Sequence, residues 1–471
     1  MNKPTNKQNK QPKKRLVSDR KGTTYNLTEK IGQGGQGIVC KTNIPNVIIK
    51  IHEEKNEQKK KQWLNHIKWL MRQDFEGLKL ARPLEIIDKP SNVNGYVMEM
   101  MSDFIPLEEL INSSLKCLIE NKTLENYRDK GGLKRRLILL KELAKTLSKL
   151  HARGLAYGDL SPSNIFVSES SENHQVWLID CDNICFEERQ QFTHTPKYAA
   201  PEIIRNESGI NISTDCWSFA VIAMELLTNS HPFESGIAVE NEAPEVGLRK
   251  ASRGELPWIY DMNDSSNEWG GSGLPIEIVT TGKMKQLFED CFSAGRRDIS
   301  SRPSMRMWVD VLDFACLQML NCFNNEPCMS FIYNKEKKCP FCDMIQESKN
   351  SLKFIHSDYY DDEEDKKMKW NKTGYYQLLN MGQKLTFHNA PAGVSFYHET
   401  SPACEIELKE DGLLIRPEPE FKVFLKSKIN QIQIQQSELI ERRSDKKIQY
   451  ALHLLNKKNV SLSHSVWVFE W

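Results

Sequence analysis

The chain lacks four things, and each absence removes a class of function. No apolar run reaches the roughly 20 residues of a membrane span; the nearest, Cys216 to Thr228, is short and carries Glu225. No apolar stretch follows the basic start, so a secretory leader is not expected. Charge of one sign is missing overall: 64 Lys and Arg face 63 Asp and Glu, a net +1. The chain as a whole is therefore neither a polyanion binder nor an acidic sponge. No internal repeat is visible. A soluble, reducing, cytoplasmic setting is the expectation. The 12 cysteines then read as buried thiols or metal ligands rather than disulfides.

The 471 residues have room for two to four domains, and 39% hydrophobic residues suffice for real cores. Charge is uneven. Residues 1–21 hold eight Lys or Arg against Asp19, a local +7 that leaves −6 for the remainder. Residues 1–24 read as a disordered basic tail, solvated rather than bound to nucleic acid or an anionic membrane.

Tyr25 to Ile51 reads as strands broken by glycines, and Gln58 to Gln73 as a helix with Trp63, Ile67 and Leu70 on one face. Gly95 to Met101 is a short apolar strand. From Lys134 to His151, leucines at helical spacing make a strong amphipathic helix. Val176 to Ile179 is a buried strand, and Asp215 to Leu227 a core helix. The acidic run Asp361 to Asp365 reads as part of a linker over 346–374. A β-rich domain over 375–471 follows, with Ile406/Leu408, Ile432/Ile434 and Trp467/Phe469/Trp471 alternating. His388, His398, His453 and His464 are scattered there and read as surface or packed side chains.

Gly32, Gly34 and Gly37 form G-x-G-x-x-G, with Val39 two residues on. Glycines at these positions let backbone approach phosphates that a Cβ would hold off. The same letters can open a dinucleotide-binding fold, but a helix would then follow at once, and here strand continues. Lys50 ends the apolar run Val47-Ile48-Ile49, a place suited to meeting an anion. Asp159 and Asn164 stand five apart in Tyr157-Gly158-Asp159-Leu160-Ser161-Pro162-Ser163-Asn164. Asp180 ends the buried strand, and Ala200-Pro201-Glu202 follows.

In this order the motifs resemble the protein-kinase signature set, over roughly residues 25–315. Asp215-Cys216-Trp217-Ser218, Arg302-Pro303-Ser304 and the hinge-like Met98-Glu99-Met100-Met101 add to the likeness. The resemblance implies an α+β, bilobal kinase fold with a β-rich N-lobe and a helical C-lobe. It implies transfer of the ATP γ-phosphoryl group to Ser or Thr of protein substrates. Gly32, Gly34, Gly37, Val39, Glu99 and Met101 would then hold ATP, the last two through backbone groups at adenine. Lys50 would hold its phosphates, Asn164 and Asp180 Mg²⁺, and Asp159 would take the hydroxyl proton beside Thr195. Arg302 would pair with Glu202.

Four departures stand out. Gly158 replaces the arginine that usually meets a phosphorylated activation loop. Ser161 replaces a lysine near the γ-phosphate. Asp180-Cys181-Asp182 replaces Asp-Phe-Gly. No helix glutamate is evident as a partner for Lys50: the slot falls near Gln62, Asn65 or His66, and Glu57 is only seven residues past the lysine. A weakly active, ATP-binding scaffold stays open for that reason, and a small-molecule kinase is the further alternative.

Cys322, Cys328, Cys339 and Cys342 fall within 21 residues, and Cys339-Pro340-Phe341-Cys342 has the C-x₂-C spacing of a zinc knuckle, assigned to 316–345. Together with the Tyr-Gly-Asp-Leu-Ser-Pro loop it resembles a bacterial group of protein kinases. Members of that group occur beside phosphatases and von Willebrand-type partners in stress or defence gene sets. The resemblance implies partners of that kind. It offers no ligand for the β-rich domain beyond a proposed interaction role.

Overall fold

The computed structural model describes residues 15–34, 37–186, 194–324, 328–347, 350–362, 367–389, 401–442, 448–458 and 463–471. The chain divides into two compact units. One comprises Met1–Asn112, Thr146–Ile222 and Leu248–Glu255; the other comprises Ser113–Lys145, Ala223–Gly247 and Leu256–Trp471. Among the described residues no helix is long and apolar enough to cross a membrane.

In the first unit, β1 (Arg15–Asp19), β2 (Thr24–Gly34), β3 (Gly37–Thr42), β4 (Val47–His52), β5 (Glu85–Lys89) and β6 (Asn94–Glu99) close a barrel in the order β1-β2-β3-β4-β6-β5. Val17, Tyr25, Ile49, Ile87 and Val97 fill it. β1 corrects the sequence reading, which placed residues 15–24 in a disordered tail. Leu16 and Val17 pair with Asn26 and Tyr25, and Ser18 and Asp19 pair with β5, so the strand closes the barrel. Buried Asp19 fastens the turn by accepting from the Thr23 backbone N–H at 2.9 Å and the Tyr25 hydroxyl at 2.8 Å. Burial raises the Asp19 pKa, but those donors outweigh it and hold the carboxyl below its ordinary value. Composition marked the segment as polar; pairing with a sheet edge orders it. Residues 1–14 lie outside the described residues.

The helix Glu57–Leu70 starts on Asn56, whose side chain accepts from the Gln58 and Lys59 N–H groups. Its buried face is Trp63, Ile67 and Leu70. A second sheet of this unit runs β7 (Phe104–Pro106), β8 (Ile165–Ser168) and β9 (Val176–Leu178). The helices Gly132–His151 and Ile212–Thr228 span the two strong apolar patterns of the sequence.

The second unit holds helices and a β-rich part that begins earlier than expected. β10 (Met319–Leu320) and β11 (Phe331–Ile332) form a short ribbon. Then β12 (Ser351–Asp362) and β13 (Lys367–Asn380) form a long hairpin where a linker was expected over 346–374. Leu352 and Phe354 of this hairpin are core residues; residues 363–365 of the acidic run lie outside the described residues.

The remaining strands are β14 (Lys384–His388), β15 (Pro402–Leu408), β16 (Gly412–Pro417), β17 (Phe421–Lys426), β18 (Gln431–Ile434), β19 (Glu438–Glu441), β20 (Gln449–Asn456) and β21 (Ser463–Glu470). They join β12 and β13 in a six-stranded sheet, β13-β12-β21-β20-β17-β18, and a four-stranded sheet, β14-β15-β16-β19. Inward residues of both, among them Phe354, Phe387, Ile406, Ile415, Val423 and Trp467, make one core. Ile406 and Leu408 are fully buried, while Glu405 and Glu407 between them bind Arg416 on the outer side. That is the period-2 pattern read from the sequence. His453 and His464 meet at 2.9 Å beside Tyr359, a packed pair; His398 lies outside the described residues.

Candidate functional site

Strand pairing sets out the first half of the site. In β3, β4 and β6, Val39, Lys50 and Tyr96 stand side by side across the sheet, so their side chains share a face. The glycine hairpin lies at the adjoining edge. Gly34 pairs with Gly37, and the tip residues 35 and 36 lie outside the described residues. Gly37 is required by close approach: a Cβ there would sit 2.0 Å from the Ile51 carbonyl oxygen.

The second half hangs on β8 and β9. Asn164 ends a single 3₁₀ turn directly before β8, and Asp180 follows β9 after Ile179. The Ile179 N–H donates to the Asn164 carbonyl at 3.0 Å, so the two polar side chains emerge together. Asp180 sits at a positive φ of 56°, which turns its carboxylate out of the strand direction. Between the halves lies a cavity of about 250 Å³. Ile31, Val39, Ile48, Phe166 and Ile179 give it apolar walls; Gly32, Glu99, Met100 and Met101 line one edge, and Lys50, Asn164 and Asp180 gather at a polar end.

A brace holds the loop between the helix Gly132–His151 and β8. The Asp215 carboxylate, 2% exposed, accepts from the backbone N–H of Tyr157 at 2.6 Å, from that of Gly158 at 2.9 Å, and faces His151 Nε2 at 3.0 Å. The Tyr157 hydroxyl donates to the Ile179 carbonyl and ties the loop to β9. Held this way, Asp159 Oδ1 accepts from the Thr195 N–H at 2.9 Å and its hydroxyl at 3.0 Å. Asn164 Nδ2 donates to the Asp159 carbonyl at 2.9 Å. Burial raises the Asp159 pKa, and the Thr195 bonds pull it back only in part.

Gly158 has a φ of +96°, and a Cβ on it would meet Ile210 Cδ1 at 2.9 Å and the Asn183 carbonyl at 3.0 Å. The space an arginine would need is filled. Ser161 is fully buried, with its hydroxyl 3.0 Å from that of Ser163. Glu202 is buried in the first unit, and Arg302 is buried in the second, where its Nε donates to the Gly295 carbonyl at 2.9 Å.

The gap in the sequence reading was the partner of Lys50. The lysine is 6% exposed and binds two carboxylates, Asp180 and Asp182, the second at 3.0 Å. Burial works against its charge, but Asp182 and Asp180 outweigh it and hold the ammonium above its ordinary pKa. Two acids share one cation, and burial holds Asp180 above the usual carboxylate range despite Lys50.

None of the helix positions considered supplies the partner. Glu57 lies in the first turn and pairs with Lys60 at 2.6 Å in solvent. The helix instead sends in Trp63, whose indole N–H donates to Asp182. Sequence reading recorded position 182 only as a lost glycine. The signal was available: an acid two residues past Asp180, with no acid on the facing stretch of helix.

The four cysteines of the second unit converge, each sulfur within 4.8 Å of the others. Cys322 and Cys342 are 3.5 Å apart and Cys328 and Cys339 3.6 Å apart. Tetrahedral zinc with Zn–S of about 2.3 Å requires S···S of roughly 3.8 Å, so the four thiols fit that ion. The knuckle has no core of its own. Cys339, Leu320 and Phe331 pack on Leu378 of β13, and Asn380 donates to the Met319 carbonyl.

Comparison with known proteins agrees with the geometry. A serine/threonine-protein kinase of Caenorhabditis briggsae, dkf-2, is 32% identical over 158 residues, covering 32% of this chain and 13% of that protein. Ribosomal protein S6 kinase alpha-2 of Homo sapiens is 39% identical over 161 residues, covering 32% of this chain and 21% of that protein. The alpha-3 kinase of Mus musculus is 40% identical over 100 residues, covering 20% and 13%. The chain thus spans about a fifth or less of the length of these relatives. The family described as Protein kinase domain matches residues 25–311, more than half of the chain. With it comes the bilobal kinase fold, and on that match the chain belongs to the protein kinase family.

Proposed function

We propose that this protein is an ATP-dependent Ser/Thr protein kinase acting on protein substrates in a bacterial regulatory, stress or defence pathway. The observation that carries the activity is the convergence of Lys50, Asn164 and Asp180 at one end of an apolar cavity, with Asp159 held beside Thr195. The cavity walls suit an adenine ring, with Glu99 and Met101 offering backbone groups at the edge and Val39 covering one face. The glycine hairpin suits the phosphates, since its backbone can approach them closely.

Asp159 orients the substrate hydroxyl and receives its proton; its burial-raised pKa favours that transfer. Thr195 keeps the Asp159 carboxylate facing the hydroxyl. Lys50 holds the α- and β-phosphates. Asn164 and Asp180 are the hard oxygen donors for Mg²⁺, which when bound neutralises charge on the transferring phosphoryl group. The buried Ser161 supplies no cation at the γ-phosphate, and Lys50 is the positive side chain that lines the cavity.

The Cys322, Cys328, Cys339 and Cys342 cluster is proposed as a structural zinc site that fastens the knuckle to β13. The β-rich part is proposed as an interaction module on its position after the kinase domain; separately, the bacterial group's pattern points to phosphatases or von Willebrand-type proteins as partners of the whole protein. The basic tail is not assigned to nucleic acid. A cytoplasmic location is proposed, since a reducing compartment suits the 12 cysteines as thiols and metal ligands.

The test is incubation with Mg-ATP labelled at the γ-phosphate. Label is expected on the protein itself or a generic protein substrate, and none for Asp180→Asn or Asp159→Asn. Equal label in wild type and variants would remove the chemistry from these residues. Binding without transfer would make the protein a scaffold, and label on a small molecule with none on protein would make it a small-molecule kinase.

A further inference from the structure

A phosphate-binding lysine needs an acid to hold it in place, because a buried ammonium without a counter-charge is costly and swings to solvent. In this chain the described helix Glu57–Leu70 brings no acid to Lys50. The lysine has two carboxylates within reach, and they differ in what else they do. Asp180 is 31% exposed and faces the cavity; apart from Lys50 it has no side-chain partner among the described residues. Asp182 is 2% exposed and fully engaged: Oδ1 accepts from the Tyr96 hydroxyl at 2.7 Å, and Oδ2 accepts from Lys50 Nζ at 3.0 Å and from Trp63 Nε1 at 3.2 Å. Its three donors come from β4, β6 and the helix, so the carboxylate is pinned from three sides. Trp63 in turn stacks on His52 with ring centroids 4.4 Å apart and planes 3° from parallel.

Resting on the kinase reading, we infer that Asp182 is the positioning residue for Lys50: it pins the ammonium so that it points at the ATP phosphates, and leaves Asp180 to face the cavity. The acid lies on the same loop as Asp180 rather than on the helix. Lys50 placement is therefore built into the loop that carries the metal-binding group. The helix contributes only a neutral donor through Trp63. Its position then affects Lys50 weakly, and a swing of that helix is a poor off-switch for this enzyme.

The test uses the full-length protein with Asp182→Asn, Trp63→Phe, Lys50→Met and the double variant Lys50→Met/Asp182→Asn. Asparagine is isosteric and can still accept from Lys50 and Trp63, with the Tyr96 hydroxyl accepting from its amide, so the change is chiefly one of charge. Kd for Mg-ATP is measured by calorimetry in every variant, and KM and kcat wherever transfer occurs. Asp182→Asn is expected to weaken Mg-ATP binding and raise its KM by about tenfold or more, with a fall in kcat. Trp63→Phe should raise KM only about threefold, the loss of one neutral hydrogen bond. In the Lys50→Met background Asp182→Asn should change Kd by less than about twofold, because its target is gone.

An active wild type whose KM is unmoved by Asp182→Asn overturns this inference and leaves the kinase reading standing. Equal factors for Asp182→Asn with and without Lys50 also overturn it, since they mark a fold-wide effect. A wild type that binds Mg-ATP without transferring its phosphoryl group removes the kinase reading alone, and the Kd cycle still decides the role of Asp182. A wild type that binds no Mg-ATP overturns both.

Discussion

Asp215→Asn strikes the brace beneath the loop that carries Asp159. The carboxylate is 2% exposed and receives two backbone N–H groups and His151. An asparagine has one acceptor oxygen where the aspartate has two. If that oxygen keeps the Gly158 N–H, the amide nitrogen faces the Tyr157 N–H; if it flips, Gly158 is stranded instead. His151 can switch tautomer and accept, so the net loss is one buried backbone donor. A stranded donor costs about 1–3 kcal/mol, and the loss of charge assistance in the remaining bond about 1 kcal/mol more. Spread over a domain of the size matched at residues 25–311, the total of about 2–4 kcal/mol corresponds to a Tm lowered by roughly 3–7 °C, at about 2.1 cal/mol/K of unfolding entropy per residue. Because Tyr157 and Gly158 lead directly into Asp159, the loop shifts as well, and a displacement of about 1 Å at the reacting group lowers kcat by about 10²-fold. The assays are thermal unfolding and phosphoryl transfer on the same preparations. A variant with wild-type Tm and kcat would refute the argument, because it would mean that neither N–H depends on this carboxylate.

Two further outcomes follow from local geometry. Gly158→Ala should cost about 2–4 kcal/mol, combining the penalty of a positive φ with the close contacts to Ile210 and Asn183, whereas Gly77→Ala, at φ +72° with nothing within 4 Å, should cost only about 1–2 kcal/mol. Chemical denaturation of both variants checks this, and equal costs would show that the space at Gly158 is not filled. Protein purified without chelator should carry one zinc per chain by metal analysis. Cys339→Ser should release it and lower the thermal stability of the knuckle and its contact with β13, and finding no metal in the wild type would refute the site.

The parts of the site readable in the sequence are those in which one residue type is needed at one local spacing. The Gly32, Gly34 and Gly37 hairpin, Asp159 and Asn164 five apart, and C-x₂-C at Cys339 are requirements of backbone approach, loop reach and ligand geometry, each met within a few residues. Strands such as β15 and β21 were legible because alternation reports a half-buried sheet directly. The strand β1 and the hairpin β12–β13 were not. Their polar and charged residues give a weak local pattern, and pairing to strands far along the chain, β1 to β5 and β12 to β21, adds to that within each hairpin.

Asp182 makes the same point at the chemical centre. Its sequence neighbours describe a loop. Its role depends on Lys50, Tyr96 and Trp63, which stand 132, 86 and 119 residues away along the chain. The amino-acid order by itself determined the kinase motifs, the helix periods and the cysteine spacing, because each is a short-range demand of backbone or ligand geometry. Only the tertiary structure decided which acid meets Lys50, why no arginine fits at Gly158, and where the β-rich part begins. Those are questions of which distant surfaces share one small volume, and no local period encodes them.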